Sequence, residues 1–181
     1  MTHMPLLISV ENRKCLLTGG GAVATRRCKT MLEYGASVTI IAREATPEIR
    51  NLAENNKVTL ISRSLKLPED ISQDYWLVIC ATDDSELNNK TAQLCRKLKI
   101  LVNVTNDGPA SDIVFPAVRH RGLLTVAIST GGADPALASR LAEQTSAAWP
   151  PDIEEELERK LERRHLKNSD KQAKNIDEEQ K

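Results

Sequence analysis

The residues best suited to chemistry in this sequence form a run of small side chains, Gly19-x-Gly21-x-x-Ala24. The run sits between the apolar stretch 14–18 and a helical pattern that opens at Ala22. Gly19 permits a tight turn, Gly21 lets a phosphate approach the backbone, and Ala24 lets a helix pack closely on a strand. The N–H groups at Ala22 and Val23, with the positive end of the helix dipole, suit the pyrophosphate of a dinucleotide. A second apolar run ends in Ala42-Arg43-Glu44, where such folds read the adenosine ribose. Glu44 suits ribose hydroxyls, as in NAD. Arg43 suits a 2′-phosphate, as in NADP. The residues themselves leave both readings open.

Three further groups lie at the ends of apolar runs. Ala81-Thr82-Asp83-Asp84 offers Thr82 and Asp83 as borders for a cofactor, and Asp83 or Asp84 as a helix cap. Asn103-Val104-Thr105-Asn106-Asp107 holds one ionisable group, Asp107, which is a candidate for proton transfer and equally a turn former ahead of Gly108-Pro109. Ser129-Thr130-Gly131-Gly132 precedes Asp134-Pro135, an N-cap and first-turn proline. Hydroxyls, flexible N–H groups and a helix start suit an anion, and Arg119, His120 and Arg121 add positive charge nearby. A polycarboxylate substrate fits that set. His3, His120 and His165 lack helical ligand spacing, so no metal site is visible.

These groups need elements to hold them. Strands are expected at 14–18, 37–42, 58–61, 76–81 and 100–104, with helices at 22–34, 47–54 and 85–98. That alternation implies βαβ units and a parallel sheet. Beyond it, β runs at 113–118 and 123–129 flank Arg119–Gly122 as a hairpin, and a helix covers 136–148. Residues 151–181 carry ten acidic and eight basic side chains. Ile153, Leu157 and Leu161 give them a thin apolar stripe, so a helix to about His165 followed by a disordered tail is expected.

Composition narrows the function classes. The 181 residues balance 25 Lys and Arg against 25 Asp and Glu, which removes a chain-wide pull toward nucleic acid or anionic membrane. Two Trp, two Tyr and one Phe are too few for a base-stacking platform. No apolar run reaches a membrane-spanning length, and the first residues lack a signal-peptide pattern. Cys15, Cys28, Cys80 and Cys95 are widely spaced, which points to reduced packing residues and a cytoplasmic setting.

The chain resembles the N-terminal module of siroheme synthases, the precorrin-2 dehydrogenases that in some members are also sirohydrochlorin ferrochelatases. The matching segments are Pro5-Leu6, Leu17–Ala24, Ala81–Asp84, Val102–Val104, Phe115–Ala117 and Ile128–Ala138, which places the match over about residues 4–150. The resemblance implies a Rossmann-type NAD-binding domain at 1–112, a hairpin-and-helix region for dimerisation and substrate at 113–150, and a charged extension at 151–181. It implies a homodimer in which NAD⁺ takes a hydride from precorrin-2 and sirohydrochlorin forms. Cofactor contacts would fall on Gly21, Ala22, Val23, Arg43 and Glu44, and the family's use of NAD favours NAD over NADP.

Two departures stand out. The family's catalytic aspartate lies three residues after the Asn of the Asn-Val turn, and here Asn106 holds that place with Asp107 next. An amide cannot take up a proton as a carboxylate does. Either Asp107 substitutes or part of the chemistry is lost, with metal insertion in greater question than hydride transfer. The extension after residue 150 is also shorter than in family members. The competing readings are a non-catalytic NAD- and tetrapyrrole-binding protein, and a chelatase without oxidation.

Overall fold

The computed structural model describes residues 3–105 and 107–179, with residues 167–179 by backbone alone. It divides into two compact units, Met1–Val114 and Phe115–Lys181. No described helix is long and apolar enough to cross a membrane.

The first unit is a five-stranded parallel sheet with helices. Its strands are β1 (Lys14–Thr18), β2 (Ser37–Ile41), β3 (Thr59–Ile61), β4 (Leu77–Cys80) and β5 (Leu101–Val104), in the order β3-β2-β1-β4-β5. Leu17 stands opposite Ile40 on one side and Ile79 on the other. The central strands are buried on both faces, so they read as unbroken apolar runs rather than as alternation. Chain order runs outward from β1 to β3, then returns to the far side of β1 for β4. The gap between β1 and β4 is therefore the topological switch point.

Helices α1 (Ala22–Glu33), α2 (Pro47–Glu54) and α3 (Ser85–Lys97) make the crossovers. Ala24, Cys28 and Met31 give α1 a buried stripe at helical spacing, and Asn88, Thr91, Ala92 and Cys95 do the same for α3. Leu16, Val78, Val102 and Val104 pack with Ala92 and Cys95 in one core cluster. All four cysteines are free and buried. Burial pushes the Cys15 and Cys28 thiols up to about 11, and those of Cys80 and Cys95 to about 12. They are packing residues.

The three helices end in the same way. The residue just past each C-cap is left-handed: Gly35 at φ 76°, Asn56 at 55° and Lys99 at 59°. Its N–H and the next one reach back to carbonyls in the last turn, as Gly35 to Leu32 and Ala36 to Met31, or Lys99 to Arg96 and Ile100 to Cys95. Only the glycine announces itself in the sequence. The other two accept a strained backbone because the following strand must start there.

In the second unit, β6 (Ala117–Arg121) pairs antiparallel with β7 (Leu124–Ile128), and α4 (Pro135–Ala147) lies against both. Here the hairpin differs from the expectation. Arg121 pairs with Leu124, so the turn is Gly122-Leu123 and the basic trio lies inside β6. Gly122, at φ 52°, supplies the backbone that a two-residue turn needs. Residues 111–113, assigned in part to that first β run, follow β5 instead: Asp112 and Ile113 N–H both donate to Val102 O. The backbone of α5 is helical from Ile153 to Glu179, past His165 where the sequence reading ends it. No Pro or Gly interrupts this stretch, and its Glu, Lys, Arg, Gln and Ala are good helix formers.

Lys99→Gly tests the helix-end argument. It removes the left-handed strain at a surface position and should raise stability by about 0.5–1 kcal/mol, read as a higher urea midpoint with an unchanged slope.

Candidate functional site

Three loops, those after β1, β2 and β4, meet at the carboxyl edge of the sheet. The turn after β1 is held by backbone: Gly19 N–H donates to Ile41 O, and Gly20 O accepts from Thr46 N–H, each at 3.0 Å. The loop after β4 is tied to the same turn through Ala81 N–H and Thr18 O at 2.9 Å. The approach is close enough to exclude side chains. A Cβ on Gly19, whose φ is 100°, would lie 2.3 Å from Ala81 O. A Cβ on Gly20 would lie 2.1 Å from Glu44 O. A Cβ on Gly21 would meet nothing within 4 Å. Two glycines therefore serve the fold, and the third leaves an open face at the helix start.

That helix start is unusual in this chain. Thr46, Asp84 and Asp134 each accept a hydrogen bond from the first turn of α2, α3 and α4. Gly21 caps α1 with no side chain, and the first turn of α1 carries no acid. The N–H groups at Ala22 and Val23 and the positive dipole end are left for an external anion. This cradle fits the pyrophosphate of a dinucleotide.

A line of hydroxyls stiffens it. Ile49 N–H donates to Thr46 Oγ1 at 3.3 Å, Thr46 Oγ1 lies 2.8 Å from Thr25 Oγ1, and Thr25 Oγ1 donates to Gly21 O at 3.0 Å. Run in that direction, each hydroxyl accepts once and donates once. On the other side, Asn88 is buried and grips Thr82 twice. Its Nδ2 donates to Thr82 O at 2.8 Å, and its Oδ1 accepts from Thr82 Oγ1 at 2.7 Å. Gly20, Thr25, Thr46 and Asn88 are not among the sequence candidates. Gly20, the middle of the triplet, and Thr46-Pro47, a cap followed by a first-turn proline, are legible in the sequence. Nothing local marks Asn88, because its partner is six residues away across a loop.

The other sequence candidates are placed as follows. Arg43 and Glu44 are exposed just past β2, with the Glu44 backbone against Gly20. Thr82 is half-buried and Asp83 exposed, and Asp84, not Asp83, caps α3 through Leu87 N–H at 2.9 Å. Asn106 lies outside the described residues. Asp107 is half-buried and holds a turn: its Oδ1 accepts from Ala110 N–H at 3.0 Å, and its O lies 2.9 Å from Ser111 Oγ.

In the second unit, Arg119 donates from Nε to Glu143 at 2.7 Å, and Arg121 donates to Pro150 O with its guanidinium 5.9 Å from the Trp149 ring centre. Ser129 Oγ accepts from Gly131 N–H at 3.2 Å, and Thr130 Oγ1 from Asp134 N–H at 3.0 Å. Gly131 and Gly132 are left-handed, at φ 65° and 89°. The start of α4 is taken by Asp134, whose Oδ1 accepts from Leu137 N–H at 2.8 Å. An anion received here would meet the loop rather than the helix end.

A model of an NAD(P)-binding family matches residues 6–117. A siroheme synthase of Pseudoalteromonas translucida is 36% identical over 153 residues, covering 84% of this chain and 32% of the relative. One from Actinobacillus pleuropneumoniae is 34% identical, covering 84% and 31%. The chain thus spans about a third of the length of these relatives. Among solved structures, SirC, a precorrin-2 dehydrogenase, matches with a TM-score of 0.67 at 27% identity, covering 84% of this chain and 74% of that one.

The glycines separate folding from binding. Gly20→Ala should lower stability by more than about 2 kcal/mol, since backbone must move. Gly21→Ala should leave the thermal midpoint unchanged and weaken dinucleotide binding about tenfold or more, measured by calorimetric titration. The open glycine face, the uncapped helix beside the switch point and the family match have one reading: the chain belongs to the NAD(P)-binding family.

Proposed function

We propose that this protein oxidises precorrin-2 to sirohydrochlorin with NAD⁺, as a cytoplasmic homodimer. The observation that carries the reading is the likeness in fold to a precorrin-2 dehydrogenase across 84% of the chain, joined to a dinucleotide cradle of this chain's own residues. When bound, the cofactor supplies the hydride acceptor. The protein's task is then to hold both partners, exclude water and receive a proton.

Gly21 with the Ala22 and Val23 N–H groups would hold the pyrophosphate. Glu44 would accept from the adenosine ribose hydroxyls, which favours NAD, with Arg43 beside it in solvent. Thr82 and Asp83 would border the cofactor, with Gly19 setting the turn. The Ser129 and Thr130 hydroxyls already accept backbone hydrogen bonds, so their protons are available to donate to substrate carboxylates. The Gly132 N–H would add to them, the Gly131 N–H being taken by Ser129 Oγ. Arg119 and Arg121 would supply field more than direct contact, being engaged with Glu143 and with Pro150 and Trp149. Asp107 is the proposed proton acceptor. Its turn bond uses one carboxylate oxygen and fixes the carboxyl in place.

The chain is tested anaerobically with precorrin-2 and NAD⁺, following sirohydrochlorin and NADH by absorbance. The two should appear in equal amounts, and NADP⁺ should serve much less well. Asp107→Ala should lower kcat about 100-fold and Asn106→Asp should raise it. Binding of NAD⁺ without turnover would instead support a binding protein, or a chelatase that works without NAD⁺. Light scattering at micromolar concentration should give the mass of a dimer; a monomer would remove that part of the proposal.

A further inference from the structure

Asn103 carries a buried polar atom with no hydrogen-bond partner among the described residues. The residue is 4% exposed, the second-last of β5, and its register partner is Ile79 of β4. Its amide cannot be turned around. Nδ2 donates to Ile113 O at 2.8 Å, and a carbonyl can only accept. Oδ1 is therefore fixed on the other branch of the amide, away from the segment that carries Ile113. Among the described residues Oδ1 has no hydrogen-bond partner. Buried acceptors are nearly always paired, so an orphan in a native fold asks for a donor from outside the chain.

Its place says which donor. Strand alternation puts Val102 and Val104 in the core cluster shared with Ala92 and Cys95 of α3. Asn103 lies on the opposite face, at the carboxyl end where open α/β sheets bind ligands. A dinucleotide crosses this edge at the switch point. Its adenosine half belongs with β2, where Arg43 and Glu44 stand. Its other half then falls on the side of β4 and β5. The nicotinamide ring carries a carboxamide whose N–H groups are donors.

We propose that Asn103 is a positioning residue for the nicotinamide, its Oδ1 accepting a hydrogen bond from the carboxamide N–H. This rests on the NAD reading above. It gives the ring one orientation, and so selects which face is presented to the substrate. Asp107 and Asn103 would then share the end of β5, one proposed for the proton and one for the ring.

The test is ligand binding, not turnover. Dissociation constants are measured for NAD⁺, its thionicotinamide analogue, which keeps the N–H donors, and its 3-acetylpyridine analogue, which lacks them. Wild-type protein should bind the first two alike and the third about tenfold more weakly. Asn103→Leu, equal in shape but with no acceptor, should bring the NAD⁺ to acetylpyridine ratio to about one. A purely structural role would weaken all three ligands together and leave the ratio unchanged, which overturns the proposal. Equal binding of NAD⁺ and the acetylpyridine analogue to wild-type protein overturns it without any variant, so a poorly folding Asn103→Leu does not spare it. Failure of wild-type protein to bind any of the three would bring down the NAD reading itself.

Discussion

The backbone of Gly19 and Gly20 lies against the carbonyls of Ala81 and Glu44 with no room for a side chain between them. Much of the first unit depends on this contact. It brings the loops after β2 and β4 up against the loop after β1, so three separate strand ends become one edge. The hydrogen bonds from Gly19 N–H to Ile41 O and from Thr46 N–H to Gly20 O are its polar counterpart. Two methyl groups at these positions would wedge the loops apart, and close packing leaves the neighbours little room to yield. The helix α1 starts where it does because the turn before it has been fixed this tightly.

Helix termini divide the work of this fold. An α-helix leaves its first N–H groups unpaired, and a protein must either satisfy them or use them. Thr46, Asp84 and Asp134 satisfy theirs with a side-chain oxygen. Gly21 has none to give. The same physical deficit is closed off by a side chain at α2, α3 and α4 and left open at α1, where the dinucleotide phosphates are proposed to bind. The hydroxyl line from Ile49 through Thr46 and Thr25 to Gly21 O makes the open end rigid without placing a competing acceptor on it. Asn88 gives comparable rigidity to the loop after β4 through its double grip on Thr82.

The second unit uses its charges differently from what their clustering suggests. Arg119, His120 and Arg121 look like the tip of a hairpin in sequence. Paired with Val126, Thr125 and Leu124 they become strand residues, and alternation sends Arg119 and Arg121 to the same side of the ribbon. Glu143, Pro150 and Trp149 receive them there. Two cations in a row of three thus become tethers within a small unit. The Ser129–Gly132 loop is likewise organised by its own hydrogen bonds, in which each hydroxyl accepts once and keeps its proton.

The sequence by itself determined the parallel α/β plan, because strands buried on both faces must be apolar throughout and crossover helices must carry a 3.6-residue stripe. It also marked the small-residue turn between β1 and α1, the proposed phosphate cradle. Gly35 ended α1 legibly, because glycine is the residue most at ease in the left-handed region. Asn56 and Lys99 do the same task unseen, the demand on their backbone coming from the next strand rather than from their own side chains. Tertiary structure alone decided the rest. It showed that Gly19 and Gly20 face carbonyls while Gly21 faces open space, a distinction set by loops more than twenty residues away in sequence. It turned Asp107 into the holder of a turn and gave Asn88 its partner. It left Asn103 Oδ1 buried without one among the described residues. These are relations between distant segments, and no local pattern carries them, because burial and hydrogen bonding are fixed only when the chain has brought its ends of strands together.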